Sequence, residues 1–386
     1  MSLQGWATYT TGAEVFDERE SRYEPVDDRL SFVLRRSQFG FKGTAYDRFT
    51  FKFVASADFV GRDVLSGIVG GSNNGANPFF RLWVGNIGWK ALASSDLLHL
   101  TFGYMPPQVS RESISGAMRL SSFEKSWSQN YIRRHLVGTG PGRAIGLNVG
   151  GMQHWETAKT AITYNIGLFN PTYSDLGGNS AGRDQAILVA YRLAFHFGDP
   201  EFNSYSLGRK SNYLGKRKGI TIAVSGSQNG EMSRWETSQS IGFDLLLNWK
   251  NFNLSGEWMR LYRDNGSETT STAYAGFARA SYNLKAGRVI FEPTVNYVFF
   301  HGETEEDGQN AAIFLGSPFG EDFYWEFTLN AYLNANTKLS LAYTVRDGNA
   351  GFYERGSKAN NYFFQGGAGP IHRGDYLGLG FVFILG

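Results

Sequence analysis

The sequence predicts an all-β fold, a transmembrane antiparallel β-barrel of about sixteen strands, formed by a single domain over residues 1–386. Apolar and polar residues alternate along segments of about 9–11 residues, the length that a tilted strand needs to cross a membrane. Long and short connections follow one another between these segments. The composition fits as well, because 48 glycines, 31 phenylalanines and 20 tyrosines are typical of strands joined by many turns.

The alternation of side chains identifies each strand. Between residues 48 and 59, Phe51 and Phe53 oppose Thr50 and Lys52, so one face of this strand is apolar and the other is polar. In a membrane barrel the apolar face contacts lipid. The predicted strands are 6–15, 30–44, 48–59, 79–92, 97–105, 143–153, 159–169, 185–197, 219–228, 240–250, 252–261, 272–284, 288–299, 322–333, 338–345 and 376–385. The residues predicted to face lipid are Phe51, Phe53, Val189, Leu193, Phe243, Leu245, Phe327 and Leu329.

The lengths of the connections predict how the barrel sits in a membrane. Eight long connections alternate with seven that are mostly tight, and an even number of strands puts both termini at the end with the tight turns. Bacterial outer-membrane barrels have this layout, with short periplasmic turns and long external loops. The segment 198–218 is an exception, because its position predicts a short turn and it is long.

Composition excludes several other classes of protein. No apolar run approaches the roughly 20 residues of a membrane-spanning helix. The chain has no cysteine, which removes disulfides, thiol catalysis and thiolate metal sites. A formal net charge of +2 gives no reason to expect a nucleic-acid partner. No signal peptide opens the chain, so we expect a processed N-terminus and infer export from the body of the sequence.

A barrel of about sixteen strands keeps a water-filled lumen, whereas an eight-stranded barrel fills its interior with side chains. The polar face of the strands is then a pore wall. Its charge is mixed, because acidic residues accompany the basic ones, namely Asp58, Asp244, Glu257, Glu292 and Glu326. For each polar position on the wall, the alternative is a solvated residue that has no special role. The basic wall residues are Arg36, Lys42, Lys52, Arg192, Arg279 and Arg346.

The long segment from Pro106 to Gly142 is the predicted constriction loop. An unstructured connection of this length is uncommon unless it is functional or disordered. Its apolar residues predict that it folds inward against the barrel wall, which would turn basic side chains toward the lumen, where they attract anions. The alternative is an external loop that touches lipopolysaccharide phosphates. The apolar residues are Ile114, Leu120, Phe123, Trp127 and Ile132, and the basic residues predicted to bind anions are Arg111, Arg119, Lys125, Arg133 and Arg134.

Four short motifs carry a resemblance to a known family. They are Leu34-Arg35-Arg36 running to Phe41-Lys42-Gly43, then Phe102-Gly103-Tyr104-Met105-Pro106-Pro107, Pro141-Gly142-Arg143-Ala144-Ile145-Gly146, and Ile166-Gly167-Leu168-Phe169-Asn170. In these segments the chain resembles the phosphate-selective porin O and P family of outer-membrane channels. The resemblance covers mainly residues 30–225. Gly198-Asp199-Pro200-Glu201 also resembles a turn of that family, at the start of the unusually long connection.

The resemblance implies a trimeric, sixteen-stranded porin in the bacterial outer membrane, whose third external loop narrows a channel for passive diffusion. Its solutes would be small anionic or polar molecules, with phosphate-like ions among them, and its surroundings outer-membrane lipid and lipopolysaccharide. No cofactor, metal or nucleic acid is expected. An enzyme is disfavoured, because none of the six histidines has the spacing of a Ser-His pair or a metal site. The remaining alternative is a structural barrel sheath that houses or docks a partner protein.

Overall fold

The computed structural model describes residues 1–67, 80–173 and 186–385, and these form a closed antiparallel β-barrel of sixteen strands. Each strand pairs with its neighbours in sequence, and the first strand also pairs with the last, which closes the barrel. The strands are β1 (Ser2–Thr11), β2 (Arg29–Ala45), β3 (Phe49–Val60), β4 (Arg81–Lys90), β5 (His99–Met105), β6 (Ala144–Trp155), β7 (Thr160–Asn170), β8 (Leu188–Gly198), β9 (Gly219–Asn229), β10 (Thr237–Trp249), β11 (Phe252–Asp264), β12 (Thr270–Tyr282, continued by Leu284–Ala286), β13 (Val289–His301), β14 (Glu321–Asn334), β15 (Thr337–Asn349) and β16 (Asp375–Ile384).

The outer surface of the barrel is an apolar belt. Outward residues along β8, β10 and β14 are exposed while their neighbours in sequence are buried, as the alternation predicted. Of the eight residues expected to face lipid, seven are 36–54% exposed, and Leu245 is partly buried on the same outward face. The inward positions are mostly polar, and most of them from β8 to β15 are buried. No helix in the described parts of the chain is long and apolar enough to cross a membrane.

The connections divide the barrel into two ends. We call the end that carries both termini the terminal end, and the opposite one the loop end. Turns at the terminal end are mostly short, for example between β10 and β11 and between β14 and β15. The connection 199–218, between β8 and β9, lies at the terminal end and is long, as the sequence indicated.

The structure differs from the sequence-based strands near the N-terminus. The first strand was expected over 6–15, but β1 ends at Thr11, because Gly12 has a positive φ of 67° and turns the chain. The following residues belong to a small four-stranded sheet at the loop end, which joins the first long connection to the last. Its strands are Glu14–Asp17, Arg22–Pro25, Phe364–Gln365 and Gly369–His372.

Candidate pore and constriction

The segment between β5 and β6 lies inside the barrel, which confirms the predicted inward fold of the constriction loop. It contains the short helix α1 (Arg111–Ile114) and the longer helix α2 (Ser128–Val137). All five apolar residues that favoured this fold are at most 5% exposed. Phe123, for example, stacks on Trp6 of β1 with ring centroids 4.5 Å apart. Packing against the inner wall therefore fixes the path of the loop.

Buried ion pairs attach the constriction loop to one side of the barrel. Arg111 Nε donates to Asp244 of β10 over 2.7 Å, and Arg279 of β12 donates to Glu112 over 2.8 Å. All four of these side chains are at most 2% exposed. Glu257 of β11 accepts hydrogen bonds from the Ser110 hydroxyl and from the backbone N–H of Glu112. A charge buried in this way stays favourable only while its partner is present.

The connection 199–218 also enters the barrel, from the terminal end. The Glu201 carboxylate accepts two hydrogen bonds from the Arg111 guanidinium, at 2.7 and 3.2 Å. Ser115 and Arg209 form a parallel β-bridge, and the backbone N–H of Gly116 donates to the carbonyl of Arg209. The constriction loop is therefore held by the barrel wall and by a second inward segment, which explains why this connection is long.

On the opposite side of the barrel the constriction loop has one charged attachment. Glu124 accepts hydrogen bonds from Arg35 and Arg36 of β2, at 2.6 and 2.5 Å. Burial alone would raise the pKa of the Glu124 carboxyl, but the two arginines lower it to about 2. The carboxylate therefore stays ionised, and its charge is neutralised locally.

A cavity of about 1070 Å³ lies between the constriction loop and strands β2 to β5. We call these four strands the open wall, and strands β8 to β15, against which the inward segments pack, the covered wall. Basic side chains dominate the surface of the cavity, and four carboxylates accompany them, those of Asp47, Asp58, Asp96 and Glu124. The basic residues are Arg35, Arg36, Lys42, Arg48, Lys52, Arg81, Lys90, Lys125, Arg133, Arg134, Arg143 and Arg209.

Most of these carboxylates already have basic partners. Asp58 lies 3.6 Å from Arg81, and Asp96 contacts Lys90 over 2.8 Å. In contrast, within the described ranges, eight basic residues of the cavity form no ion pair. These eight, which we call the unpaired basic set, are Lys42, Arg48, Lys52, Lys125, Arg133, Arg134, Arg143 and Arg209.

Members of the unpaired basic set on the constriction loop are held by neutral groups. Arg133 donates to the hydroxyl and the carbonyl of Ser113, and Lys125 donates to the carbonyls of Ser113 and Ser115. Burial, together with the charge of Arg133, holds the pKa of Lys125 well below its ordinary value. Burial also lowers the pKa of Arg133 to about 10, so its guanidinium stays charged near neutral pH. Close basic side chains that form no ion pair favour the entry of an anion.

The structure separates the predicted site residues into two groups. Lys125, Arg133 and Arg134 of the constriction loop border the cavity, as do Arg36, Lys42 and Lys52 of the wall. The others lie elsewhere in the described structure. Arg111 is buried in its ion pairs, and Arg119 reaches the carbonyl of Ala335 and the side chain of Asn336 in a terminal-end turn.

Three basic residues predicted for the pore wall lie on the covered wall instead of the cavity. Arg192 pairs with Asp244, Arg279 with Glu112 and Arg346 with Asp322, and each is at most 6% exposed. Four of the five acidic residues predicted for the wall are covered too, namely Asp244, Glu257, Glu292 and Glu326, whereas Asp58 borders the cavity. The inward segments therefore separate most of the predicted acidic wall residues from the cavity.

Sequence reasoning did not select several basic residues of the cavity, among them Arg35, Arg143 and Arg209. Arg143 lies over the ring of Trp83, with its guanidinium carbon 3.5 Å from the ring centroid. Arg35 and Arg143 both lie in motifs that carried the family resemblance, and this position in the motifs was the sequence feature that could have identified them. Arg209 could not be found in this way, because its place in the lumen depends on the fold of the 199–218 segment. In the described parts of the chain, no group of His, Asp and Glu could hold a metal ion.

Comparison with known proteins identifies the fold. No protein family and no curated protein sequence matches the chain. Among solved structures, OprB of Pseudomonas putida is 10% identical with a TM-score of 0.55, and the comparison covers 99% of this chain and 92% of OprB. An anion-selective porin from Comamonas acidovorans is 11% identical with a TM-score of 0.54, and both chains are 99% covered. The outer-membrane channel DcaP of Acinetobacter baumannii is 12% identical, with coverage of 99% and 95% and a TM-score of 0.53. The chain therefore has the fold of bacterial outer-membrane channels.

Proposed function

We propose that the chain is a porin of the bacterial outer membrane, through which small solutes diffuse passively, with a preference for anions. The observation that carries this proposal is the unpaired basic set on the cavity. A permeating anion gains favourable interactions with these side chains, whereas a cation meets, among the described residues of the cavity, only the Asp47 carboxylate without an ion-pair partner. Charges along a narrow passage with low-dielectric walls act with less screening than charges on an open surface.

Phosphate-like ions belong to the proposed solutes. Arginine binds oxyanions through planar, paired N–H groups, and Arg133 and Arg143 lie in one basic cluster with Lys125. The resemblance to the phosphate-selective porin O and P family supports the same class of solute. Similarity in fold to a porin described as anion-selective is consistent with the proposal.

The proposal includes an orientation and an assembly. The terminal end would face the periplasm and the loop end the outside, next to lipopolysaccharide, following the rule of short periplasmic turns. A homotrimer is proposed from the same family resemblance. The alternative of a barrel that houses a partner protein is less favoured, because segments of the chain itself occupy much of the interior.

Reversal potentials in a salt gradient test the ion preference. Purified protein is reconstituted in a planar bilayer with unequal KCl on the two sides, and wild type is compared with Lys42→Glu/Lys52→Glu. Both residues are exposed on the open wall, so the barrel should still fold. We expect anion preference in wild type and a shift toward cations in the variant. Lys159→Glu/Lys218→Glu, which changes two exposed turn residues outside the cavity, is the control.

A wild-type channel without anion preference would refute the proposed selectivity. A second measurement addresses the solute itself. Adding potassium phosphate to a chloride solution should reduce the chloride current, because phosphate competes for the same cations. An unchanged chloride current would remove phosphate from the proposal.

A further inference from the structure

The outer surface of the barrel has an apolar groove that the channel function does not use. The groove crosses strands β11 to β16 and has a volume of about 560 Å³. It faces away from the lumen, since Tyr282 and Val295 on its surface are 45% and 40% exposed. Its main lining residues are Phe252, Tyr282, Pro293, Val295, Phe327 and Leu329.

Three basic residues lie next to the groove, at the terminal end of the barrel. Lys250 is in the turn between β10 and β11, Lys285 is in the short continuation of β12 (Leu284–Ala286), and Arg288 is in the turn that follows it. All three are exposed, and within the described parts of the chain none of them forms an ion pair. Residues 250–251 and 283–288 contain no carboxylate. The turns therefore present uncompensated positive charge.

Hydrogen bonds hold the two turns and the groove in one arrangement. The backbone N–H of Asn283 donates to the carbonyl of Asn251 over 2.8 Å, which ties the turn between β10 and β11 to the terminal end of β12. Phe252 and Tyr282 are cross-strand partners in the last pair of β11 and β12 before these turns. A strand rises about 3.3 Å per residue, so Lys285 lies about 10 Å beyond Tyr282 along the chain. The apolar groove and the positive charges are thus separated in the same way as the acyl chains and the phosphate of a lipid.

We propose that the groove and its two turns bind an anionic phospholipid of the leaflet at the terminal end. An acyl chain would occupy the groove, and Lys250, Lys285 and Arg288 would contact the phosphate and the anionic headgroup. Basic clusters next to apolar membrane surface recognise anionic lipids in this way. The loop end of the same strands is unsuited to this role, because Glu268, Glu303 and Glu305 lie in the connections there.

Native mass spectrometry measures this binding directly. The complete protein is released from detergent micelles that contain equal amounts of dioleoylphosphatidylglycerol and dioleoylphosphatidylcholine. We expect wild type to retain the anionic lipid about fivefold better than the zwitterionic one. Lys285→Ala/Arg288→Ala should abolish this difference. The control, Lys159→Ala/Lys218→Ala, removes two exposed charges from terminal-end turns away from the groove and should retain it.

A variant that fills the groove tests the apolar half of the site. Ala280 borders the groove, and Ala280→Trp should reduce the retention of both lipids, since the acyl chain loses its place. Equal retention of the two lipids by wild type, or an equal loss in the control variant, would overturn the proposal. A change in the mass of the oligomer in Ala280→Trp would assign the groove to a second copy of this chain, which also overturns it.

Discussion

The open wall and the covered wall use inward basic residues for opposite purposes. Arg192 and Arg279 of the covered wall each meet a buried carboxylate, whereas Lys42 and Lys52 of the open wall face the cavity without one. All four occupy inward positions in regular strands. The inward segments contribute to the difference, because they pack over the covered wall, where Glu112 of the constriction loop reaches Arg279, and leave Lys42 and Lys52 facing the cavity. An inward cation is therefore structural or available to solutes according to what packs against it.

The largest effect is expected on the covered wall. Arg111→Ala leaves Glu201 and Asp244 buried without their shared partner, which should cost roughly 3–5 kcal/mol of unfolding free energy. Urea unfolding in lipid vesicles measures this loss, and a larger single-channel conductance should accompany it as the constriction loop loosens. Arg119→Ala, which removes hydrogen bonds to a turn, is the control. Equal stability of the two variants would show that the buried network does not hold the loop.

A smaller effect distinguishes the two faces of the open wall. Phe53 of β3 faces outward and is 39% exposed, and Thr50 of the same strand borders the cavity. Phe53→Arg should destabilise the barrel by roughly 2–4 kcal/mol, because it places a charge against lipid. Thr50→Arg should have little effect, because its charge lies in water. Unfolding in lipid vesicles compares the two, and similar values would contradict the assigned facing.

Substitutions on the cavity side of the constriction loop should change ion selectivity without a loss of barrel stability. Arg133→Ala/Arg134→Ala removes two cations that border the cavity, so the reversal potential should move toward cations while conductance rises or stays the same. Arg119→Ala, on the same loop but away from the cavity, should leave the reversal potential unchanged. If the double variant keeps its ion preference, the open wall alone sets it, and Lys42 and Lys52 become the decisive residues.

The smallest effect is expected when the pH is lowered. The Glu124 carboxyl has a folded-state pKa of about 2, below its ordinary value of 4.5. Its contribution to stability is therefore complete above about pH 4.5 and is lost as the pH falls from there through about 2. Glu124 should therefore cause no change in conductance between about pH 7 and about pH 5, as planar-bilayer recording of wild type and Glu124→Gln can check. A change in that range that disappears in Glu124→Gln would contradict this account.

The sequence was sufficient for the strands because their signal is local. Alternation of the type seen at Phe51, Lys52 and Phe53 has a period of two residues, and it follows from the geometry of a strand against lipid. The exposure of an inward residue is not local. Lys52 and Arg192 have the same sequence pattern, and only the path of the inward segments makes one a cavity residue and the other a buried ion-pair partner.

The unusual length of the 199–218 connection was visible in the sequence, but its contacts were not. Glu201 meets Arg111 across 90 positions of the chain, and no periodicity predicts a contact between two irregular segments. The apolar residues of the constriction loop were more informative. Phe123 and Trp127 indicated an inward fold because large apolar side chains in a solvated loop would be unfavourable.

The small sheet at the loop end has a consequence for how the barrel assembles. Glu14 pairs with His372, whose ring stacks on Tyr23 at 3.7 Å, so the contact joins positions 358 residues apart in the chain. Closing so long a loop is entropically costly for a chain that is not yet folded. Once β1 and β16 have paired, the first and last long connections are already close together, so the entropic cost of bringing them together no longer applies. The small sheet can therefore form only after the barrel has closed. Its contacts then slow the separation of β1 from β16.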